Sequence, residues 1–213
     1  MKTLSKYLAY LGDFQYNGSL NPLVSGIADD SRLVKPGFIF CAIPGEVVDG
    51  HNYIPQAVSA GAVAIVCSKS DYEVPENIAK ITVPDAYAAN ALLWECFYDF
   101  PGSELDIIAI TGTNGKTTTA FMLRDILTKA GLKCGLISTV QYDLGEGIVD
   151  ADRTTPMPGD LQRMLREAAD SGCSHVVMEA SSHGLVQHRL GKAPVKTAVF
   201  TNLTGDHLDY HKT

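Results

Sequence analysis

The chain has 213 residues, 46% of them hydrophobic and 19% charged, a balance that marks a folded globular protein and excludes a disordered one. A formal net charge of −7 excludes a broad basic surface, so no nucleic-acid partner is expected and an anionic ligand needs a local pocket of amides or cations. The first eleven residues lack the apolar run of a signal peptide, and nowhere do about 18 apolar residues run together. No membrane association and a cytoplasmic location are therefore expected.

The five cysteines, Cys41, Cys67, Cys96, Cys134 and Cys173, are odd in number and include no C-x-x-C pair. Reduced, buried thiols follow from that pattern. In chain order, residues 38–42, 62–67 and 81–83 read as short strands. A helix over 53–60 stops at Gly61, and a second starts at Asp85, its N-cap, and runs to Phe97. The turn formers in Phe100-Pro101-Gly102-Ser103 mark a boundary, giving domains 1–101 and 102–213.

Beyond the boundary come a strand at 105–110, a glycine-containing loop, a helix over 118–130 closed by Gly131, and a strand at 136–140. The next helix, 160–169, places Leu161, Met164, Leu165 and Ala168 on one face and ends at Gly172. Strands at 175–178 and 197–200 complete the alternation. The expected fold class is α/β: an N-terminal domain, then a parallel sheet with helices on its faces.

The most informative stretch is Ile110-Thr111-Gly112-Thr113-Asn114-Gly115-Lys116-Thr117-Thr118, between a strand and a helix, where phosphate-binding loops belong. Gly112 and Gly115 permit positive φ and let backbone amides approach an oxygen, while the helix offers its unpaired N–H groups to the anion. Lys116 reaches the β and γ phosphates in this reading, and the Thr117 hydroxyl holds Mg²⁺. Ile110 stands where the first glycine of G-x-x-x-x-G-K-[ST] would fall, so this is a shorter G-x-x-G-K-T-T form. No N-K-x-D guanine signature occurs, which favours ATP over GTP.

Ligands of open parallel sheets sit beyond the carboxyl ends of the strands. Glu179, placed directly after a strand, and Asn202, Asp206 and His207, after the next, share that edge with Lys116. A carboxylate there suits Mg²⁺, and Glu179 is the first choice. His207 and His211, four apart, offer a zinc alternative with Glu179 or Asp206, but neither H-E-x-x-H nor thiolate ligands accompany them. The run 181–189 adds hydroxyl, amide and guanidinium donors suited to an anionic or sugar-bearing substrate. Without a G-x-S-x-G elbow, its serines do not read as nucleophiles.

The phosphate loop resembles that of the Mur ligases and their folylpolyglutamate synthetase relatives. Thr154-Thr155-Pro156, Met178-Glu179-Ala180-Ser181-Ser182-His183-Gly184-Leu185 and Thr201-Asn202-Leu203 with Asp206-His207-Leu208-Asp209-Tyr210-His211 resemble the MurE type in particular. The resemblance implies an ATP-dependent ligase of peptidoglycan precursor synthesis. It would join meso-diaminopimelate or L-lysine to UDP-MurNAc-L-Ala-D-Glu through an acyl phosphate. By the same resemblance, Gly112, Thr113, Asn114, Gly115, Lys116, Thr117 and Thr118 hold ATP, Thr117 and Glu179 hold one Mg²⁺, and His207 a second; Lys116, Glu179 and His207 form the catalytic set. Ser31, Thr154, Thr155, Ser181, Gln187 and Arg189 hold the UDP-muramoyl dipeptide. Asp30-Ser31-Arg32 and the loop Glu46-Val47-Val48-Asp49-Gly50 resemble segments that receive the UDP group.

By this resemblance the family's carbamylated lysine and third domain would lie beyond Thr213, and the ATP-binding sheet would be truncated before it is complete. The chain alone is therefore expected to bind UDP substrate or nucleotide without turnover, and the full-length protein is expected to be a monomer. Another ligase of the superfamily, or a binding module that has lost turnover, stands as the alternative.

Overall fold

The computed structural model describes residues 1–16, 18, 20–45 and 48–204. Two compact units divide the chain, Met1–Asp99 and Phe100–Thr213. Asp99 and Phe100 occupy the left-handed region, with φ of 59° and 54°, a conformation uncommon outside glycine.

The first unit contains β1 (Lys2–Thr3), α1 (Leu4–Leu8), β2 (Gln15–Tyr16), β3 (Leu23–Val24), β4 (Gly26–Ala28), β5 (Phe38–Ala42), α2 (Ile54–Ser59), β6 (Ala64–Cys67), β7 (Ala79–Thr82) and α3 (Ala86–Phe97). Its main sheet has the order β2-β7-β6-β5-β4, parallel from β4 to β7 with β2 antiparallel at one edge. β1 and β3 form a separate antiparallel pair. Every residue of β6 is buried, as expected of a parallel strand covered on both faces. Ile54 and Ala57 of α2 pack on the face that carries Phe40, Ala42, Ile65 and Cys67. The Asp85 carboxylate accepts the Ala88 N–H at 3.0 Å and caps α3 where the sequence places its start. Gly61, with φ of 97°, ends the turn after α2. The expected strand 62–67 begins two residues later, and the expected 81–83 overlaps β7 at Ile81 and Thr82. β1 to β4 and α1 have no counterpart among the expected elements, because segments of two to five residues leave no periodic pattern.

The second unit contains β8 (Asp106–Thr111), α4 (Lys116–Lys129), β9 (Cys134–Ile137), β10 (Gln141–Asp143), β11 (Ile148–Asp150), α5 (Pro158–Asp170), β12 (His175–Glu179), α6 (Ser182–Val186) and β13 (Val195–Phe200). The sheet order is β11-β10-β9-β12-β8-β13. β9, β12, β8 and β13 are parallel. Side chains alternate across a strand, so each face of this sheet has its own core. Ile110, Leu136 and Val177 face Ala120 of α4. Ile107, Val176 and Met178 face Leu161, Met164, Leu165 and Ala168 of α5, the four positions whose spacing predicts its apolar face.

The parallel-rich α/β class holds, and four details of this unit differ from expectation. The sheet is mixed, because β10 and β11 form an antiparallel hairpin on the edge of β9. The single strand expected at 136–140 breaks after Ile137. There the Ser138 hydroxyl accepts the N–H groups of Val140 and Gln141, and both the Ser138 N–H and the hydroxyl donate to the Gln141 carbonyl, reversing the chain into β10. The helix expected from 118 begins at Lys116, and Glu179 is the last residue of β12 rather than the first after it.

All five cysteines are free and buried, and burial pushes the Cys134 thiol up to about 11. Among the described residues, no helix is long and apolar enough to cross a membrane.

Candidate phosphate-loop site and substrate cavity

Four parallel strands of the second unit end on one edge at Thr111, Ile137, Glu179 and Phe200, and the loops that follow them build the site. The first runs from Gly112 to Gly115. Gly112 has φ of 128°, and a Cβ on it would lie 2.2 Å from the Thr201 hydroxyl oxygen and 2.8 Å from the Asn202 carbonyl oxygen. Only glycine allows the strand-end segments to approach this closely.

Asn202 holds the other side of the loop. Its side-chain oxygen accepts the Asn114 N–H at 3.0 Å, and its amide donates to the Asn114 carbonyl at 2.9 Å. The Thr113 N–H donates to the Asn202 carbonyl at 3.1 Å, while the Thr113 hydroxyl bonds the Thr204 carbonyl and N–H. These contacts fix the backbone of Thr113 and Asn114 before any ligand arrives.

Gly115, at φ of 84°, is the N-cap of α4 and supplies no side-chain cap, so the 14-residue helix presents its first amides uncapped. A Cβ at Gly115 would meet nothing within 4 Å, and Asn114 and Gly115 are exposed. An anion can therefore reach the helix end directly. The Lys116 ammonium donates to the carbonyls of Gly112 at 2.7 Å and Thr113 at 3.1 Å, folded over the loop it serves.

Glu179 is fully buried, and its carboxylate is the hub of the site. It accepts the Thr117 hydroxyl at 3.0 Å, the Thr139 N–H at 2.9 Å and the Thr139 hydroxyl at 3.2 Å. The Thr139 hydroxyl also lies 3.1 Å from that of Thr154. Thr139 is absent from the sequence-derived set because its surroundings read as strand; the structure makes it the second loop residue after β9.

Behind the carboxylate, the buried Thr155 hydroxyl donates to the Glu179 carbonyl at 3.0 Å and accepts the Ser181 N–H at 2.9 Å. Arg189 donates to the Thr155 carbonyl at 2.7 Å and through Nε and a terminal nitrogen to Gln187. The structure thus brings Thr117, Glu179, Thr154, Thr155, Ser181, Gln187 and Arg189 into one bonded network. His207, Asp206 and His211 lie outside the described residues, as do Glu46 and Val47.

The oxygen-only donor set of Thr117 and Glu179 suits Mg²⁺, a hard cation that takes few ligands from protein. Among the described residues no group of three or more His, Cys, Asp or Glu side chains is arranged to hold a metal, as a zinc cage would be.

The first unit has a cavity of about 530 Å³ lined by Asp29, Asp30, Ser31, Arg32, Phe40, Val48, Tyr53 and Gln56, among others. The Ser31 hydroxyl donates to Gln56 at 2.9 Å. Arg32 pairs with Asp30 at 2.6 Å, and that hydrogen bond holds the Asp30 carboxyl below the usual carboxylate range. Asp49, in the loop that resembles a UDP-receiving segment, is instead ion-paired with Lys69 at 2.5 Å and hydrogen-bonded to the His51 ring at 2.6 Å. Those contacts show how an acidic residue is accommodated there.

A strand, a glycine loop and a lysine-headed helix beside a carboxylate-ended strand define an α/β domain of the phosphate-loop class. Comparison with known proteins places it more narrowly. The model of the Mur ligase middle domain matches residues 110–213, and that of the Mur ligase family catalytic domain matches residues 23–94. The chain is 44% identical over 92% of its length to the UDP-N-acetylmuramoyl-L-alanyl-D-glutamate--2,6-diaminopimelate ligase of Phocaeicola vulgatus, covering 40% of that protein. It is 46% identical over 89% of its length to the protein of the same name from Listeria monocytogenes, covering 38% of it.

A solved structure of a protein of that name superposes with a TM-score of 0.74 at 30% identity, over 89% of this chain and 38% of the other. The chain belongs to the Mur ligase family, of which it carries the N-terminal catalytic and middle domains. It spans about 40% of the length of the curated relatives it matches.

Proposed function

We propose that this chain is the nucleotide- and UDP-substrate-binding part of an ATP-dependent ligase that adds diaminopimelate to UDP-MurNAc-L-Ala-D-Glu. The observation that carries this reading is the Thr117–Glu179 pair beside Lys116 at the head of α4, the arrangement needed to cradle a triphosphate with its divalent ion. Bound there, Mg²⁺ would offset phosphate charge, with Thr117 and Glu179 as its protein ligands. Lys116 would exchange the carbonyls of Gly112 and Thr113 for phosphate oxygens, and Gly112 to Thr118 would enclose the chain of phosphates. Thr154, Thr155, Ser181, Gln187 and Arg189 would orient the muramoyl dipeptide, and Ser31 would meet the UDP group in the first unit.

Diaminopimelate is preferred to lysine because the relatives from Phocaeicola vulgatus and Listeria monocytogenes carry it in their names. The retained lysine, carboxylate and hydroxyl set weighs against a module that has lost catalysis. Calorimetric titration tests the reading: a non-hydrolysable ATP analogue should bind only with Mg²⁺, and UDP-MurNAc-L-Ala-D-Glu should bind with it or alone. Binding of neither removes the assignment. For the protein that carries this chain, phosphate release from ATP should require both the UDP-dipeptide and diaminopimelate, and should vanish in Lys116→Ala.

A further inference from the structure

Tyr142, in β10, belongs to neither the loop nor the substrate set, yet its hydroxyl reaches forward along the chain to the turn that precedes Thr154. It accepts the Arg153 N–H at 3.1 Å and shares its proton between the Asp152 carboxylate at 2.8 Å and the Arg153 carbonyl at 2.7 Å. The ring itself is 3% exposed and packs in the core beneath α5. Burial and the Asp152 carboxylate push the phenol up to about 12, so the donor proton stays in place at any pH the protein meets.

The turn it grips is joined to the site at its far side through the two threonines. Thr154 lies 3.1 Å from the Thr139 hydroxyl, and Thr155 accepts the Ser181 N–H while donating to the Glu179 carbonyl. On the near side, the Ala151 N–H donates to the Val140 carbonyl at 3.1 Å. Asp152 and Arg153 are exposed, so solvent competes for their backbone groups and the phenol supplies the fixed partner between these two anchors. A shift of the turn would carry Thr155 away from Ser181, and a hydrogen bond weakens steeply once its geometry is lost.

We propose that Tyr142 is a positioning residue for the substrate threonines, its hydroxyl fixing the turn that delivers Thr154 to Thr139 and Thr155 to Ser181. The consequence for ligand binding rests on the proposed function; the tether itself does not.

Tyr142→Phe keeps the packed ring and removes only the hydroxyl, so the fold is retained and the test isolates the tether. In the 213-residue chain, residue-resolved amide hydrogen exchange should quicken at Arg153 by about tenfold and at Ser181 by several fold, the loss of one hydrogen bond being on that scale. Ser181 is distant in sequence and linked to the turn through Thr155, so a merely local effect of the substitution would leave it unmoved. The Kd for UDP-MurNAc-L-Ala-D-Glu should rise about tenfold while that for the ATP analogue stays within about twofold. Unchanged protection at Ser181, or an unchanged UDP-dipeptide Kd beside a wild type that binds it, overturns the proposal. Should the wild type not bind the UDP-dipeptide, the functional reading falls, and the Ser181 exchange alone decides the tether.

Discussion

The Thr117 hydroxyl, in the first turn of α4, donates to the Glu179 carboxylate, at the end of β12, across 3.0 Å. β8 and β12 are neighbours in register, Glu179 opposite Ile110, so the helix that leaves β8 must start beside that carboxylate. The contact is therefore a consequence of topology, and it sets a hydroxyl and a carboxylate oxygen side by side, as the proposed magnesium site requires.

Glu179→Gln and Glu179→Ala should separate charge from hydrogen bonding. The introduced carboxamide retains an acceptor for Thr117 or Thr139 but no charge, so nucleotide affinity should lose its dependence on Mg²⁺ with stability lowered by about 1 kcal/mol. Alanine leaves the Thr139 N–H and two hydroxyls without their buried partner and should cost about 2–3 kcal/mol in urea unfolding. Equal Mg²⁺ dependence in wild type and Glu179→Gln would remove the carboxylate from the metal site.

Lys116→Ala tests the loop itself. The carbonyls of Gly112 and Thr113 that Lys116 now serves border solvent, so water can replace the ammonium, and stability should stay within about 0.5 kcal/mol. Affinity for the ATP analogue should fall at least about tenfold, since a charge-assisted contact to phosphate is lost. Undiminished nucleotide binding would place the triphosphate elsewhere.

The two loop glycines should respond differently to alanine. Gly112→Ala drives a Cβ into the Thr201 hydroxyl and the Asn202 backbone, so the loop must move, with a cost of about 2–3 kcal/mol and loss of nucleotide binding. Gly115→Ala meets open space and carries only the left-handed backbone penalty, about 1 kcal/mol. Equal effects, measured by unfolding and by analogue titration, would mean that close packing against Asn202 does not shape the loop.

The central α/β alternation is legible in the sequence because α5 and the covered strands carry strong periodic patterns. The Leu161, Met164, Leu165, Ala168 face is the clearest instance. Glu179 could be placed at the strand edge for the same reason. Thr139 could not, because a threonine after the apolar run of β9 extends a strand pattern as well as it ends one; what ends it is the bonding of Ser138, invisible to periodicity. Nor does any local signal reveal that Asp49 is spent on Lys69 and His51, partners whose proximity exists only after folding.

That arrangement gives the last prediction, which concerns acid. The Lys69 hydrogen bond first, then those from His51, hold the Asp49 carboxyl well below the usual carboxylate range. A depressed folded value means that the ionised form is favoured by folding: the stabilisation is complete above the unfolded value near about 3.9 and is lost as pH falls through the folded one. His51, fully buried, depends on the same carboxylate, since its Nε2 accepts the Ser68 N–H at 3.1 Å and its Nδ1–H donates to Asp49 at 2.6 Å. Asp49→Asn removes the charge but keeps a carbonyl acceptor for the His51 ring and N–H. Urea unfolding should therefore show the variant less stable than wild type at about pH 7, with the gap narrowing steadily as the pH is taken from about 5 towards about 2. A gap that does not change with pH would mean that Asp49 stabilises the loop through geometry alone, and that its charge is not neutralised by Lys69 in solution.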